Sequence, residues 1–342
     1  MKIEYQRLLD FKDVLIKPKR STISSRKDVD INRSFAFKNS NRTWRGFPII
    51  AANMETTGSR KMAEALKNEQ CLTALHKFHD YTVLREYCKD DGYSHSFYTL
   101  GIREEDYGDF KCFIENNEKP KFICIDVPNG YLQKFVEFCA EIRNKCPDSI
   151  IMAGNVVTGE MTQELIINGK VDIVKVGLGS GANCSTRKVT GVGIPQLSAI
   201  MECSDVAHGL GAHICSDGGC KEPGDVVKAF VAGADFVMLG NGMLGGTDEC
   251  DGDWFYKYNE YTQSDDKDFL LAYGMSSRKM MEKYYGKFDE YKAEEGFEVK
   301  YPYKGPVSKV IQQIKGGVRS ACTYVGASRL KDLPKCGSFV CI

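Results

Sequence analysis

The chain has 342 residues, enough for one large α/β barrel or for two ordinary domains. Hydrophobic residues make up 42% and charged residues 27%, the balance of an ordinary soluble globular protein. Lys plus Arg and Asp plus Glu both number 46, so the formal charge is zero, which argues against a dedicated nucleic-acid or membrane-surface protein but not against a small local anion site.

No apolar run approaches the roughly 18 residues of a membrane span. The opening MKIEYQRLLDFKD carries Glu4 and Asp10 and lacks the apolar core of a signal peptide. The closing SFVCI fits neither a peroxisomal tripeptide nor a prenylation box. The cytosol is therefore the default location. The 14 cysteines contain no C-x-x-C pair, so a zinc ribbon or a thioredoxin-like motif is not expected, and most of the thiols read as small core hydrophobes.

In chain order, residues 1–47 are polar and irregular, and short apolar strands then alternate with amphipathic helices. Eight strands are expected: PIIAAN (48–53), CLTAL (71–75), SFYTLGI (96–102), KFICIDV (121–127), SIIMAGNV (149–156), VDIVKVGLG (171–179), HICSDGG (213–219) and DFVMLGNG (235–242). Most are continuously apolar, as strands covered on both faces are. A short helix is expected between the second and third. Residues 131–146 form a helix whose stripe is Tyr131, Leu132, Phe135, Phe138, Cys139 and Ile142. Further helices start at Gly159, with Met161, Leu165 and Ile166 on one face, run from Ile194 to His208, and follow Pro223, with Val226, Val227 and Phe230. Eight βα units in a row fit a closed (β/α)₈ barrel, an α/β fold, better than an open doubly wound sheet. Residues 247–305 interrupt this rhythm. TDECDGDWFYKYNEYTQSDDKD (247–268) has few aliphatics and is not expected to bury a strand or helix on its own. Its place after the eighth strand suits an active-site flap, although a solvated excursion without a role has the same composition.

Chemistry in such a barrel gathers at the C-terminal strand ends. The sixth strand leads into GLGSGANCSTRK (177–188), where Gly177, Gly179 and Gly181 let carbonyls turn inward and Cys184 stands at the rim, followed by Thr186 and Arg187. A thiol so placed becomes a nucleophile when its surroundings favour the thiolate; the plainer reading is a buried, inert cysteine. SDGG (216–219) and GNG (240–242) end the seventh and eighth strands, where this fold commonly binds phosphate; tight βα turns would use the same glycines. Asp217 can accept from a ribose hydroxyl. His76, Lys77 and Asp126 lie at other strand ends and can equally be structural. KAEEG (292–296) reads unaided as an exposed helix end.

GSGANCSTRKVTGVGIPQ (179–196) resembles the cysteine loop of the IMP dehydrogenase and GMP reductase superfamily. The similarity extends to DFKDVLIKPKRST (10–22), AANMETTG (51–58), GNVVTGE (154–160), ECSDVAHGLGAHICSDGGC (202–220), YGMSS (273–277) and GGVRSACTYVGA (316–327). The missing regulatory domain, the TRKVTG run (186–191) and the absence of an Arg-Tyr pair in 274–296 favour the reductase branch. The resemblance implies that GMP and NADPH give IMP, ammonia and NADP⁺. It makes Cys184 the nucleophile at purine C2, and Thr186 with Glu295 the pair that handles protons as the amine leaves. It places the nucleotide on Asp217, Gly218, Gly219, Gly240 and Gly242. Gly274, Met275, Ser276, Lys292 and Gly296 complete that set. It places the dinucleotide on Ser25, Arg26, Lys77, Asp126, Val127 and Pro128. Met275, Tyr291 and the run Ser320, Ala321, Cys322 and Thr323 join them, some from a neighbouring subunit of a homotetramer. Gly179, Gly181, Cys184 and Arg187 match a monovalent-cation site for K⁺. Ser185 stands where Thr is usual, Lys292 where Arg is usual, Asn241 sits between the eighth-strand glycines, and 247–271 is longer than usual.

The runner-up enzyme is an IMP dehydrogenase without its regulatory domain, which would need a base to activate water. A non-catalytic nucleotide-binding barrel is a different class, disfavoured by the joint presence of Cys184, Thr186 and Glu295. A flavin-dependent barrel oxidoreductase shares the fold alone.

Overall fold

The computed structural model of the chain describes residue 3 and residues 5–79, 94–116 and 119–342. Eight parallel strands close into a barrel: β1 (Ile49–Ala51), β2 (Leu72–Ala74), β3 (Ser96–Leu100), β4 (Phe122–Asp126), β5 (Ile150–Val156), β6 (Ile173–Val176), β7 (His213–Asp217) and β8 (Phe236–Leu239). Closure runs through Val237 opposite Ile49, Met238 opposite Ile50 and Leu239 opposite Ala51. Each falls within an expected segment, but the glycine-bearing tails lie outside the strands, and Asn241–Leu244 turns into a short helix. The short helix expected between the second and third strands falls largely outside the described residues.

Alternation sorts the side chains into two layers. Phe97, Phe122, Cys124, Met152, Ile173 and Met238 fill the interior. Ile123, Ile125, Ile151, Val174 and Val176 face the surrounding helices. These include α1 (Arg60–Asn68), α2 (Glu104–Glu115), α3 (Gln133–Lys145), α4 (Gly159–Ile167), α5 (Gln196–Gly209), α6 (Pro223–Val231) and α7 (Val307–Val325). The apolar stripe expected for α3 holds at Phe135, Phe138, Cys139 and Ile142, all buried. Tyr131 and Leu132 do not belong to it; they precede the helix and are exposed. α6 starts at Pro223, whose missing N–H costs nothing in a first turn, and it buries Val226, Val227 and Phe230. No helix of the described residues is long and apolar enough to cross a membrane.

Both polar segments are more ordered than their composition suggests. Within 1–47, Arg33–Phe37 and Arg42–Gly46 form an antiparallel hairpin. Its Phe35 stacks on Phe236 at 4.4 Å and its Trp44 lies 5.7 Å from the same ring, so the hairpin plugs the N-terminal end of the barrel. Two buried aspartates pin it there. Asp172 accepts from the backbone N–H groups of Asn39 and Ser40, each at 3.1 Å, and from Arg143 at 2.6 Å. Asp235 accepts from Arg33 at 2.9 Å and from His208 at 2.8 Å.

The flap region is a three-stranded antiparallel sheet of Asp253–Asn259, Ser264–Tyr273 and Glu298–Pro302, with a helix at Arg278–Tyr285. Residues 247–268, which have too few aliphatics to bury an element on their own, nevertheless contribute strands to this sheet. Its first strand is largely exposed and is held by ladder hydrogen bonds to 264–271, with Phe255 stacked on Phe269 at 4.6 Å. Backbone pairing needs no aliphatic core when the neighbouring strand is anchored, as this one is at Leu270, Leu271, Ala272 and Tyr273, all buried.

Asp235 yields a stability prediction. Burial alone would raise its carboxyl, but the hydrogen bond from His208, the His213 ring 3.5 Å away and the Arg33 charge hold it far below the usual carboxylate range. Replacing Asp235 with Ala should cost about 3–5 kcal/mol, because it leaves buried donors and a cation unpaired. His208 is shifted the opposite way: its hydrogen bond to Asp235 raises it. That contribution is full below about pH 6.5, the ordinary histidine value, and is lost as pH rises through the elevated folded value. Thermal midpoints measured from pH 6 upward should therefore decline more steeply in the wild type than in His208→Gln; parallel curves would contradict the assignment.

Candidate active site

The C-terminal strand ends open into one cavity of about 640 Å³, bounded on one side by the loop after β6 and on another by the flap. Gly218 lets the loops after β6 and β7 touch. Its φ is +92°, and a Cβ there would stand 2.5 Å from Ser180 Oγ. Ser180 Oγ donates to the Asp217 carbonyl at 3.0 Å and the Gly219 N–H donates to the Ser180 carbonyl at 2.9 Å, fixing the two loops together.

Cys184 lines the cavity and is partly buried. Its Sγ lies 3.2 Å from Thr186 Oγ1, which donates to Glu295 Oε2 at 2.7 Å. A threonine hydroxyl has a single proton. With that proton committed to Glu295, Oγ1 is left to accept from the thiol. The three groups form a path from sulfur to carboxylate. Glu295 is not the exposed helix end that its local sequence suggested: it sits in a non-helical segment and is partly buried. Backbone contacts place it there. The Ser185 N–H donates to the Glu295 carbonyl at 3.0 Å, and Cys184 pairs with Gly296 as an antiparallel bridge. The fit is close: a Cβ on Gly274 would come within 2.7 Å of Gly296 Cα.

Asn183 clamps this junction from below. Buried, it donates through Nδ2 to the carbonyls of Ala272 at 3.2 Å and Phe297 at 3.3 Å, and its Oδ1 accepts from Tyr301 Oη at 2.7 Å. Arg187 braces the same loop from behind. It donates to the carbonyls of Leu178 at 2.9 Å and Ile194 at 2.5 Å and reaches Asp10 at 3.3 Å.

A charged group occupies the cavity floor. Lys175 contacts Asp126 Oδ1 at 2.8 Å and Asp217 Oδ2 at 2.6 Å. Asn155 donates to Asp217 Oδ2 at 2.9 Å and to the Gly177 carbonyl at 2.7 Å. Burial alone would lower the Lys175 ammonium, but the two carboxylates raise it well above its usual value. Burial alone would raise the Asp126 carboxyl, but the Lys175 charge holds it below its usual value, aided by Asn53 and Lys77.

Of the expected nucleotide residues, Asp217, Gly218, Gly219, Gly240, Gly242, Gly274, Met275, Ser276 and Lys292 line the cavity, and Gly296 supports Cys184 from its edge. Of the expected dinucleotide residues, Asp126, Val127, Pro128, Met275 and Tyr291 line it. Lys77 does not; it pairs with Asp106 at 2.9 Å. Ser25 and Arg26 lie on a different part of the chain, where the turn Arg26–Asp28 packs against α7, the helix carrying Ser320, Ala321, Cys322 and Thr323. The Cys322 side chain is buried in the core, and burial pushes its thiol up to about 12. Gly179 and Gly181 line the cavity, whereas Arg187 does not. Sequence reasoning missed Lys175, Asn155 and Asn183. The signal for the first two was a polar residue inside an otherwise apolar strand; Asn183 had none beyond its neighbour Cys184.

Residues 99–342 match the model of the IMP dehydrogenase / GMP reductase domain. The GMP reductase of Yersinia enterocolitica serotype O:8 / biotype 1B is 51% identical over 343 residues, covering 99% of this chain and 96% of that protein. The GMP reductases of Yersinia pestis (strain Pestoides F) and Yersinia pseudotuberculosis serotype O:1b (strain IP 31758) have the same identity and coverage. A family match over most of the chain, with the cysteine loop, both glycine turns and the flap in one cavity, makes this chain a member of the IMP dehydrogenase / GMP reductase family.

Proposed function

We propose that the chain is an NADPH-dependent GMP reductase, converting GMP to IMP and ammonia in purine nucleotide interconversion. The observation that carries this reading is the Cys184–Thr186–Glu295 path at the wall of the cavity. The carbon between two purine ring nitrogens is electrophilic, and the Cys184 thiolate adds to it as the thiol proton passes toward Thr186 and Glu295. The same pair returns a proton to the exocyclic amine, which leaves as ammonia, and a thioimidate to Cys184 remains. NADPH supplies the hydride that reduces this carbon. The carbon–sulfur bond then breaks, releasing IMP and restoring the thiolate. Two steps through one covalent intermediate each have a lower barrier than a direct displacement.

Asp217 retains acceptor capacity beyond its bonds to Lys175 and Asn155, which suits a ribose hydroxyl. The backbone around Gly218, Gly219, Gly240 and Gly242 suits the phosphate. Asp126–Pro128 and Tyr291, which line the same cavity, are suited to receive a nicotinamide stacked on the purine. Ser25, Arg26 and Ser320–Thr323 do not line this cavity, so a role for them in dinucleotide binding calls for a neighbouring subunit, consistent with a homotetramer. The loop 177–184 offers carbonyls in place of charged side chains, the donor set that fits a monovalent cation such as K⁺. Gly179, Gly181 and Cys184 would hold it, with Arg187 bracing the loop, and it would supply fixed positive charge there. A cytoplasmic location follows from the substrates.

Cys184→Ala should lower NADPH oxidation with GMP by at least about 10³-fold and leave GMP affinity within a few-fold of wild type. Substantial turnover by that variant would remove the nucleophile assignment. Oxidation of IMP with NAD⁺ by the wild type, without GMP reduction, would move the chain to the dehydrogenase branch.

Asp217→Asn should weaken GMP binding about 10- to 150-fold, the worth of a charge-assisted hydrogen bond. Calorimetry showing unchanged affinity would reject the ribose role.

Glu295→Gln should slow ammonia release by about 10²–10⁴-fold, the usual contribution of general acid catalysis. IMP with NADP⁺ should still give some covalent intermediate and NADPH in this variant, since in that half-reaction the carboxylate serves thiol deprotonation alone and no amine has to be protonated. Equal losses in the two half-reactions would make Glu295 a residue that positions the flap.

A further inference from the structure

Lys175 is the charged member of a four-residue strand whose other residues, Ile173, Val174 and Val176, are fully buried. Its side chain is 4% exposed. Neither the sequence motifs nor the family resemblance gives it a role. Its two carboxylate partners come from different walls. Asp126 ends β4 and Asp217 ends β7, with β5 and β6 between them in the barrel.

We infer that Lys175 is a positioning residue that bridges Asp126 and Asp217 and keeps the two carboxylates together, so that a single side chain aligns the nucleotide subsite with the dinucleotide subsite. This rests on the reading of Asp217 as a nucleotide contact and Asp126 as a dinucleotide contact. The geometry favours it over a purely structural ion pair. A buried lysine needs one carboxylate for neutrality, and this one is shared between two, each of which also lines the cavity. Asn155 adds a second donor to the same Asp217 oxygen, leaving the other oxygen to a ligand. Without the ammonium, two carboxylates would face each other across the floor, and either one carboxyl would take up a proton or the two would move apart. Separation of the two, or proton uptake by Asp217, weakens the acceptor that the ribose needs.

The test is a charge-compensation series read by calorimetry with GMP and, separately, with NADPH. Lys175→Met keeps a long side chain and removes the charge. It should weaken GMP binding roughly 10- to 100-fold, as expected for the loss of charge-assisted hydrogen bonding. Adding Asp126→Asn to Lys175→Met removes the repulsion and should recover at least about tenfold of the GMP affinity, although Asp126 serves the other ligand. Asp126→Asn alone should weaken NADPH binding with little change for GMP. Wild-type GMP affinity in Lys175→Met, or a double variant that binds GMP no better than Lys175→Met, would overturn the inference. If Lys175→Met does not fold, as judged by circular dichroism, the double variant decides: it should fold and bind GMP within about tenfold of Asp126→Asn. Failure of both to fold would assign Lys175 to barrel stability and overturn the positioning role. A wild-type chain that binds no GMP would instead overturn the nucleotide reading beneath it.

Discussion

The arrangement of the mouth depends on the clamp at Asn183. A cysteine on the loop after β6 and a carboxylate more than a hundred residues further along the chain have no local reason to meet. Asn183 joins them by bonding the Ala272 and Phe297 carbonyls and Tyr301 with one amide, while its own carbonyl accepts from Phe297 N–H at 3.1 Å. Asn241, after β8, reaches the same side chain at 3.4 Å and is itself held by Thr56, after β1, at 2.6 Å. A buried amide that lost a partner would cost about 1–3 kcal/mol, so the flap, the cysteine loop and the turn after β8 are held in a single arrangement.

Much of the barrel was legible because burial on both faces writes a plain signal. Segments such as FICID and IIMAGNV are apolar runs of strand length, and all eight appear in the structure. The hairpin at 33–46 and the flap sheet were not legible. Their order comes from what they are fastened to: Phe35 and Trp44 rest on Phe236, and the 253–259 strand leans on a neighbour whose far end is buried. Periodicity reports the burial of a segment's own residues and is silent about anchors supplied from elsewhere.

The site was legible unevenly. Cys184 stood out because a thiol among glycines at a strand end is unusual, and Asp217 because it precedes paired glycines. Thr186 and Glu295 gained their meaning from the family resemblance, and the structure brings them to hydrogen-bonding distance. Lys175 and Asn155 were hidden inside strands that read as core. A zero total charge gave no hint of this concentration of charge at the mouth, nor of the two aspartates at the floor, since a sum over the chain erases location.

The shortness of β6 has a consequence of its own. Asp172, just before the strand, holds the floor hairpin, and Lys175, within it, serves the mouth. At about 3.3 Å per residue, roughly 10 Å of chain separates the two tasks. Side chains alternate faces, so a slip of one residue would turn Lys175 outward among the helices and bring Val174 or Val176 to the cavity. No intermediate alignment exists for a strand this short. Its register is therefore a discrete state of the molecule, and a misaligned copy would lose the floor anchor and the mouth charge together.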